Sequence, residues 1–251
     1  MTALTDAAAI EVRAACIARH GGVAQALESG GWPSLVDITL VEALVLGLLR
    51  QGVRKYLAIF GHGSTALAEV LRIYEAAGVT RTYNFRNEVA MAHAATALRW
   101  QYGEVPAVVT SIGPGALQAM AGSLAAASNG VGVYHLYGDE TTHGEGYNMQ
   151  QVPKAEQGVY GRITALMGRS YVLHTPEALR EALRQGAVTV HHPYKAGPFY
   201  LMLPINTQPA VLRLNLAAMP EVPRFTPVVG ADAALFAQAR ETISQHQRIV
   251  I

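Results

Sequence analysis

Cysteine is almost absent: Cys16 is the only one in 251 residues. An internal disulfide and a cysteine-rich zinc site are therefore excluded, and Cys16 is expected to be a small buried or half-buried hydrophobe. Charge is also scarce. Only 15% of the residues are Asp, Glu, Lys or Arg, and the formal net charge is +1. That balance gives no electrostatic case for nucleic acid or an anionic membrane as a partner. No apolar run reaches the roughly 20 residues that a membrane helix needs. The opening stretch MTALTDAAAIEVRAAC carries Asp6 and Glu11, whereas a secretory signal needs a basic start and an unbroken apolar run. The chain is accordingly expected to be soluble and cytoplasmic.

Apolar residues make up 51% of the chain, with 24 glycines. This suits a tightly packed α/β protein with much of its surface hidden in an oligomer. Residues 1–36 read as a helical extension that breaks at Gly30-Gly31-Trp32-Pro33. A regular alternation follows. Helices are expected over 39–51, 65–77, 88–102, 116–127 and 176–190, and strands over 56–60, 80–85, 107–110, 131–136, 170–173 and 199–203. A long polar loop runs from 138 to about 156. The pattern predicts a doubly wound parallel sheet of about six strands, with helices on both faces and ligands at the carboxyl ends of the strands. Residues 204–230 hold five of the twelve prolines without a clear period and read as a linker. A helix over 232–246 and a strand over 248–251 would be an incomplete C-terminal extension.

Three loops should meet at one edge of this sheet. Gly61-His62-Gly63-Ser64-Thr65-Ala66 has glycines spaced for a tight turn before a helix, as in a dinucleotide fingerprint. That fingerprint also needs an acid closing the second strand, where Asn84, Phe85, Arg86 and Asn87 stand. Arg86 could favour a 2′-phosphate, so an NADP-dependent oxidoreductase remains an alternative at this point. In the second loop Glu88 opens a helix, a position that the helix dipole favours for any carboxylate. The residues after it, Val89-Ala90-Met91-Ala92-His93-Ala94-Ala95-Thr96-Ala97, are mostly small enough to let another backbone approach. His93 is expected to be a satisfied buried histidine. The third loop, Ser111-Ile112-Gly113-Pro114-Gly115-Ala116, is either a tight turn or a wall against which a flat ring can lie.

Together GHGSTALAEVL, NEVAMAHAATAL and TSIGPGALQAMAGSLAAASNGVGVYHLYGD resemble the N-terminal, pyrimidine-binding domain of thiamine-diphosphate enzymes of the acetolactate-synthase and decarboxylase superfamily. Within it they are most similar to trihydroxycyclohexane-dione hydrolases. The similarity covers about 37–206, with GPFYLMLPIN resembling the closing strand and Asn206 standing where the superfamily usually has Asp. The resemblance implies that Glu88 hydrogen-bonds the pyrimidine N1′ and thereby activates the cofactor. It implies His62 as a candidate acid/base, and Gly61, Gly63, Gly113, Pro114, Gly115 and Gln118 as cofactor-binding positions. Gln118 replaces an asparagine of the hydrolase motif. His143, Glu145 and Gln151 lie in the polar loop, where a solvated role is expected, and His191-His192 carry only a slight case for a metal.

Relatives in the superfamily hold magnesium and the diphosphate through a Gly-Asp-Gly motif, as the resemblance implies. No such string occurs in this chain, and no residue here is assigned to the metal. Gly138-Asp139-Glu140 is the nearest string, and it lacks the second glycine. The expectation is thus a split enzyme. Residues 37–206 form the pyrimidine domain, and 207–251 form a linker and the start of a middle domain that a second subunit completes. That subunit would hold Mg2+ with its diphosphate domain, in a hetero-oligomer such as a heterotetramer. The substrate would be a small carbonyl compound, with a carbon–carbon bond cleaved or formed beside the carbonyl, for instance in hydrolysis of a cyclic 1,2-diketone. A non-catalytic assembly subunit of the same fold is the remaining alternative.

Overall fold

The computed structural model describes residues 7–143, 158–225 and 232–246. The elements run in the order α1 (Ala7–His20), α2 (Val23–Glu28), β1 (Leu35–Thr39), α3 (Leu40–Arg50), β2 (Lys55–Ala58), α4 (Thr65–Ala76), β3 (Arg81–Asn84), α5 (Glu88–Tyr102), β4 (Ala107–Ser111) and α6 (Pro114–Ser128). They continue with β5 (Tyr134–Asp139), α7 (Val159–Ala165), β6 (Arg169–Val172), α8 (Leu179–Val190), β7 (Phe199–Pro204), β8 (Val211–Asn215) and α9 (Ala233–Ser244). Among the described residues, no helix is long and apolar enough to cross a membrane.

Six strands form one sheet in the order β3-β2-β4-β5-β7-β6, and every neighbouring pair is parallel. The expected doubly wound α/β sheet is therefore present. Strands buried on both faces must be apolar on both, and β4, β5 and β7 are buried along their whole length. The two-residue period of a strand sends alternate side chains to opposite faces. Tyr134 and Leu136 of β5 accordingly join a core with α1, α3, α4 and α8. Tyr137 joins a second core with Met91 and Ala95 of α5, Ala116 and Ala119 of α6, and Tyr160 of α7.

The small residues of α5 do receive a close neighbour, and it is α6 of the same chain. A Cβ added at Gly122 would lie 2.6 Å from the Val89 carbonyl oxygen and 2.9 Å from the Ala92 Cβ. His93 departs from expectation. The buried stripe of α5 runs through Met91, Ala92, Ala95 and Thr96, which leaves the His93 ring exposed on the other side.

Residues 207–225 also differ from the linker reading. They contain β8, which pairs antiparallel with β1 from Leu35↔Asn215 to Thr39↔Val211. The strand alternates, with Leu212 and Leu214 inward, and Leu216 and Met219 follow into the core. Prolines on either side obscure this short alternation in the sequence. Gly47 is explained by the same packing: a Cβ there would lie 2.3 Å from Leu183 Cδ1 and 2.7 Å from Met219 Cε.

The N-terminal helix is tied on by a buried ion pair. Arg13 Nε and Nη2 donate to the two Glu42 carboxylate oxygens at 2.7 and 2.6 Å, and the Tyr74 hydroxyl donates to Oε1 at 3.0 Å. The helix expected over 232–246 is α9, none of whose residues is buried. The strand expected over 248–251, most of the long polar loop with Glu145 and Gln151, and Asp6 lie outside the described residues.

Candidate functional site

Strand order decides where a ligand can enter. The chain leaves β2 for β3 on one side, and β4 then joins β2 on the other. The loops after β2 and β4 therefore diverge, leaving a crevice at the carboxyl ends of the strands. A cavity of about 350 Å³ occupies that place, lined by Ile59, Phe60, Gly61, Glu88, Thr110, Ser111, Ile112, Pro114 and Gly115. Each of the three loops singled out by sequence contributes to it.

Glu88 is positioned by the start of α5. Asn87 is the N-cap, with extended backbone, and its Oδ1 accepts from the Ala90 N–H at 3.0 Å. Such a cap fixes the first turn and places Glu88, half-buried, at the cavity wall. Asn87 Nδ2 also donates to Gln118 Oε1 at 3.4 Å, which joins the first turns of α5 and α6. Asn87 was not singled out in the sequence, although an asparagine directly before a helix is a recognisable capping signal.

The glycines of the site fall into two groups. At Gly115 an added Cβ would lie 2.5 Å from Thr110 Oγ1 and 3.2 Å from Glu88 Oε1. At Gly61 it would lie 2.7 Å from Ser111 Oγ. These two glycines keep open a space bounded by polar side-chain atoms. Gly63 has a different reason, since its Cβ would meet the Gly138 backbone at 2.8 Å. Gly113 has φ 86°, a conformation that glycine adopts without strain, and it is buried behind the cavity. The Gly113 backbone hydrogen-bonds the Tyr160 hydroxyl, although burial dominates there and holds that group's pKa above its usual value.

The expected residues thus separate. Glu88, Gly61, Pro114 and Gly115 line the cavity. His62 is exposed in the turn beside it, Gly63 and Gly113 shape the loops, and Gln118 is exposed and bonded to Asn87. Thr110 is a lining residue that sequence reasoning missed, and Ser111, which opens the third loop, was given no role of its own. Their hydroxyls stand at the end of an otherwise apolar strand, AVVTS, and that is the only signal they give. Outside the cavity, Asp139 is buried at the end of β5. Burial pushes its pKa up to about 7, opposed by a hydrogen bond from the Glu140 N–H and assisted by the Glu140 charge.

The other polar candidates are placed elsewhere. His192 Nδ1 accepts from the Tyr194 and Lys195 N–H groups at 3.1 and 2.9 Å, the role of a turn cap. Burial, then the nearby Arg99 charge, push His191 down to about 4. His143 is exposed. Asn206 is held reciprocally by Thr142: its Oδ1 accepts from the Thr142 N–H at 3.0 Å, and its Nδ2 donates to Thr142 Oγ1 at 2.8 Å. An aspartate could not make the second of these bonds as donor. Half-buried Cys16 donates to the Gly31 carbonyl at 3.4 Å.

A parallel α/β domain with a carboxylate and a glycine-walled crevice at its switch point is a ligand-binding domain of the doubly wound class. Its family follows from comparison with known proteins. Residues 38–158 match the family described as thiamine pyrophosphate enzyme, N-terminal TPP binding domain, and this part of the chain is such a TPP-binding domain. The chain is 29% identical over 190 residues to a 3D-(3,5/4)-trihydroxycyclohexane-1,2-dione hydrolase of Bacillus thuringiensis, covering 69% of this chain and 29% of that protein. It is 31% identical over 180 residues to the enzyme of the same name from Bacillus velezensis, covering 65% of this chain and 28% of that protein. The chain thus matches less than a third of the length of these relatives.

The cavity suits the pyrimidine half of thiamine diphosphate. A flat, methylated heteroaromatic ring needs apolar contact on its faces and polar partners at its edge. Ile59, Phe60, Ile112 and Pro114 offer the first, and Glu88, Thr110 and Ser111 the second. Methyl groups at Gly61 and Gly115 would fill the space. A nicotinamide dinucleotide is served less well: Asn84 ends β3 where a ribose-binding acid is wanted, and Arg86 is exposed.

Proposed function

We propose that this chain is the pyrimidine-binding subunit of a split thiamine-diphosphate-dependent enzyme, and that a second subunit supplies the diphosphate and Mg2+ half of the site. The observation that carries the reading is the cavity in which the Glu88 carboxylate and the two small-walled positions Gly61 and Gly115 face the same space. When bound, thiamine diphosphate supplies a carbon nucleophile for attack on a carbonyl. Glu88 holds a proton at the ring nitrogen facing it, and its anchorage at the head of α5 keeps that contact in register. Ile59, Phe60 and Ile112 exclude water from the ring faces. His62, exposed at the rim, is the candidate acid/base for the substrate oxygen. A non-catalytic assembly role would leave the Glu88 contact without a purpose.

The reaction is cleavage or formation of a carbon–carbon bond beside a carbonyl, and hydrolysis of a cyclic 1,2-diketone is the version that the names of the relatives favour. A protein surface supports the partner. α6, PGALQAMAGSLAAAS, has no charged residue, and its Leu117 and Leu124 are exposed, as are Trp100 and Tyr102 of α5. α9 likewise exposes Leu235, Phe236 and Ile243. Exposed apolar side chains gathered on a helix in this way mark interaction surfaces.

The test has two parts. Thiamine, which lacks the diphosphate, is titrated into the isolated chain and followed by amide resonances; shifts confined to 59–61, 88 and 110–115 are expected. Thiamine diphosphate with Mg2+ is then titrated calorimetrically with and without the partner subunit. Tight binding only in the mixture is expected, with turnover reduced about 100-fold or more in Glu88→Gln. No resonance change and no heat in either sample would overturn the proposal.

A further inference from the structure

Gln208 lies in the stretch that sequence alone gives no pattern, yet it is only 1% exposed. Its Nε2 donates to the Gly63 carbonyl at 2.7 Å and to the Leu203 carbonyl at 2.8 Å. Its own backbone carbonyl accepts from the Val41 N–H at 3.3 Å, in the first turn of α3. One side chain therefore joins the GHG turn to the end of β7, from a backbone that is itself anchored.

Both amide protons are used, which fixes the orientation of the group and leaves Gln208 Oε1 buried with no hydrogen-bond partner among the described residues. An unpaired buried oxygen costs folding free energy. An apolar side chain of the same length would avoid that cost, so what the glutamine adds is its two donors. The other contacts of the turn point the same way. The Gly63 N–H donates to Ser111 Oγ at 3.1 Å, and the Ser64 N–H donates to the Gly61 carbonyl at 3.0 Å. A Cβ on Gly138 would lie 2.1 Å from the Gly63 carbonyl carbon. Ser111, Gly138 and Gln208 thus hold Gly63 from three elements, and Gly61 and His62 directly precede it.

We propose that Gln208 is the positioning residue of the GHG turn, clamping Gly63 to the end of β7 and so setting where Gly61 and His62 stand at the cavity. Its bearing on turnover rests on the thiamine-diphosphate reading; the clamp itself does not. Two variants of the full chain test it without any ligand. Gln208→Met keeps the length and removes both donors. Gln208→Glu keeps the shape but sets a carboxylate against two carbonyl oxygens, and only its protonated form recovers one donor.

In Gln208→Met, the Gly63 and Ser64 amides should exchange with solvent about tenfold faster, the loss of roughly one hydrogen bond's protection. The His62 ring resonances should move. The amides of Ile59 and Phe85, bonded to the Val109 and Ala58 carbonyls, should keep their protection. In Gln208→Glu the same signals should shift at neutral pH and return toward wild type as pH falls, with no such return in Gln208→Met. Should Gln208→Met fail to fold, the acid-restored Gly63 signal of Gln208→Glu decides. Unchanged Gly63 and His62 signals in the folded variants, or exchange raised equally at Ile59 and Phe85, would overturn the assignment.

Discussion

Replacing Gly115 by alanine perturbs the cavity with one methyl group. The backbone allows it, because Gly115 sits in the first turn of α6 and helical backbone admits any ordinary side chain. The obstacle is space: the new Cβ would lie 2.5 Å from Thr110 Oγ1 and 3.2 Å from Glu88 Oε1. Thr110 is 2% exposed on a central strand and cannot withdraw, so the Glu88 carboxylate and the first turn of α6 must move. Overpacking of this kind costs about 1–3 kcal/mol, and the better helix propensity of alanine returns up to ~1 kcal/mol. A net loss of about 0–3 kcal/mol follows from these two ranges, which a domain of ordinary stability survives.

Ligand binding should suffer more than folding. The methyl occupies the wall against which a ring would lie and displaces the carboxylate that meets its edge. Affinity for thiamine should therefore fall at least tenfold, about 1.4 kcal/mol. The assay is a resonance titration with thiamine alongside urea unfolding of the same sample. Gly197→Ala is the control, because nothing lies within 4 Å of a Cβ there, and its stability should change by less than about 0.5 kcal/mol. Gly115→Ala binding thiamine within twofold of wild type would refute the reasoning.

Two further outcomes concern the scaffold. Arg13→Met should cost about 3–5 kcal/mol in urea unfolding, because it leaves the fully buried Glu42 carboxylate without its cation; Arg13→Met with Glu42→Leu should recover most of that loss, and a single variant as stable as wild type would dismiss the role assigned to the pair. Acid should destabilise the fold between pH 6.5 and about 4.5. Burial holds His135 at about 3 and His191 at about 4, so the unfolded chain takes up these protons first as pH falls below 6.5, and at pH 5 His135 alone contributes a loss of about 2 kcal/mol. Asp139 works in the opposite direction: held near 7 in the fold, it takes a proton before its unfolded counterpart and offsets part of the loss. Asp139→Asn should therefore steepen the decline from pH 6.5 to 4.5, and an equal slope in the two proteins would remove Asp139 from the account.

How much of this was legible depended on whether the signal was local. α5 is bounded in the sequence by an asparagine cap and a glycine stop, and its span was predicted as observed, Glu88–Tyr102. The central strands β4 and β7 were equally plain, because strands buried on both faces are continuous apolar runs, whereas the edge strands β3 and β6 were placed by the alternation around them. β8 was not. Its inward residues, Leu212 and Leu214, alternate with Val211, Arg213 and Asn215 over only five residues, and its partner β1 lies about 170 residues away in the chain. α7 was missed for a related reason: seven residues, VYGRITA, are too few to show a helical period.

The site divides along the same line. Glu88 could be found because its helix start and its neighbours are contiguous, whereas Gln208 acts on Gly63 across 145 positions and no local pattern announces it. The glycines show the limit most clearly. In the sequence Gly61, Gly63, Gly113 and Gly115 are equivalent, since all four sit in turns before helices. What separates them is the atom each would strike: backbone at Gly63, which marks a packing contact, but hydroxyl and carboxylate oxygens at Gly61 and Gly115. A missing Cβ facing polar side-chain atoms leaves a space that a ligand can share, whereas one facing backbone leaves no space at all. Gly113 needs its left-handed backbone conformation whatever lies nearby. On the proposed reading, recognition of a ring would rest on Gly61 and Gly115 together with Glu88, and the other two glycines would serve by holding the loops that carry them.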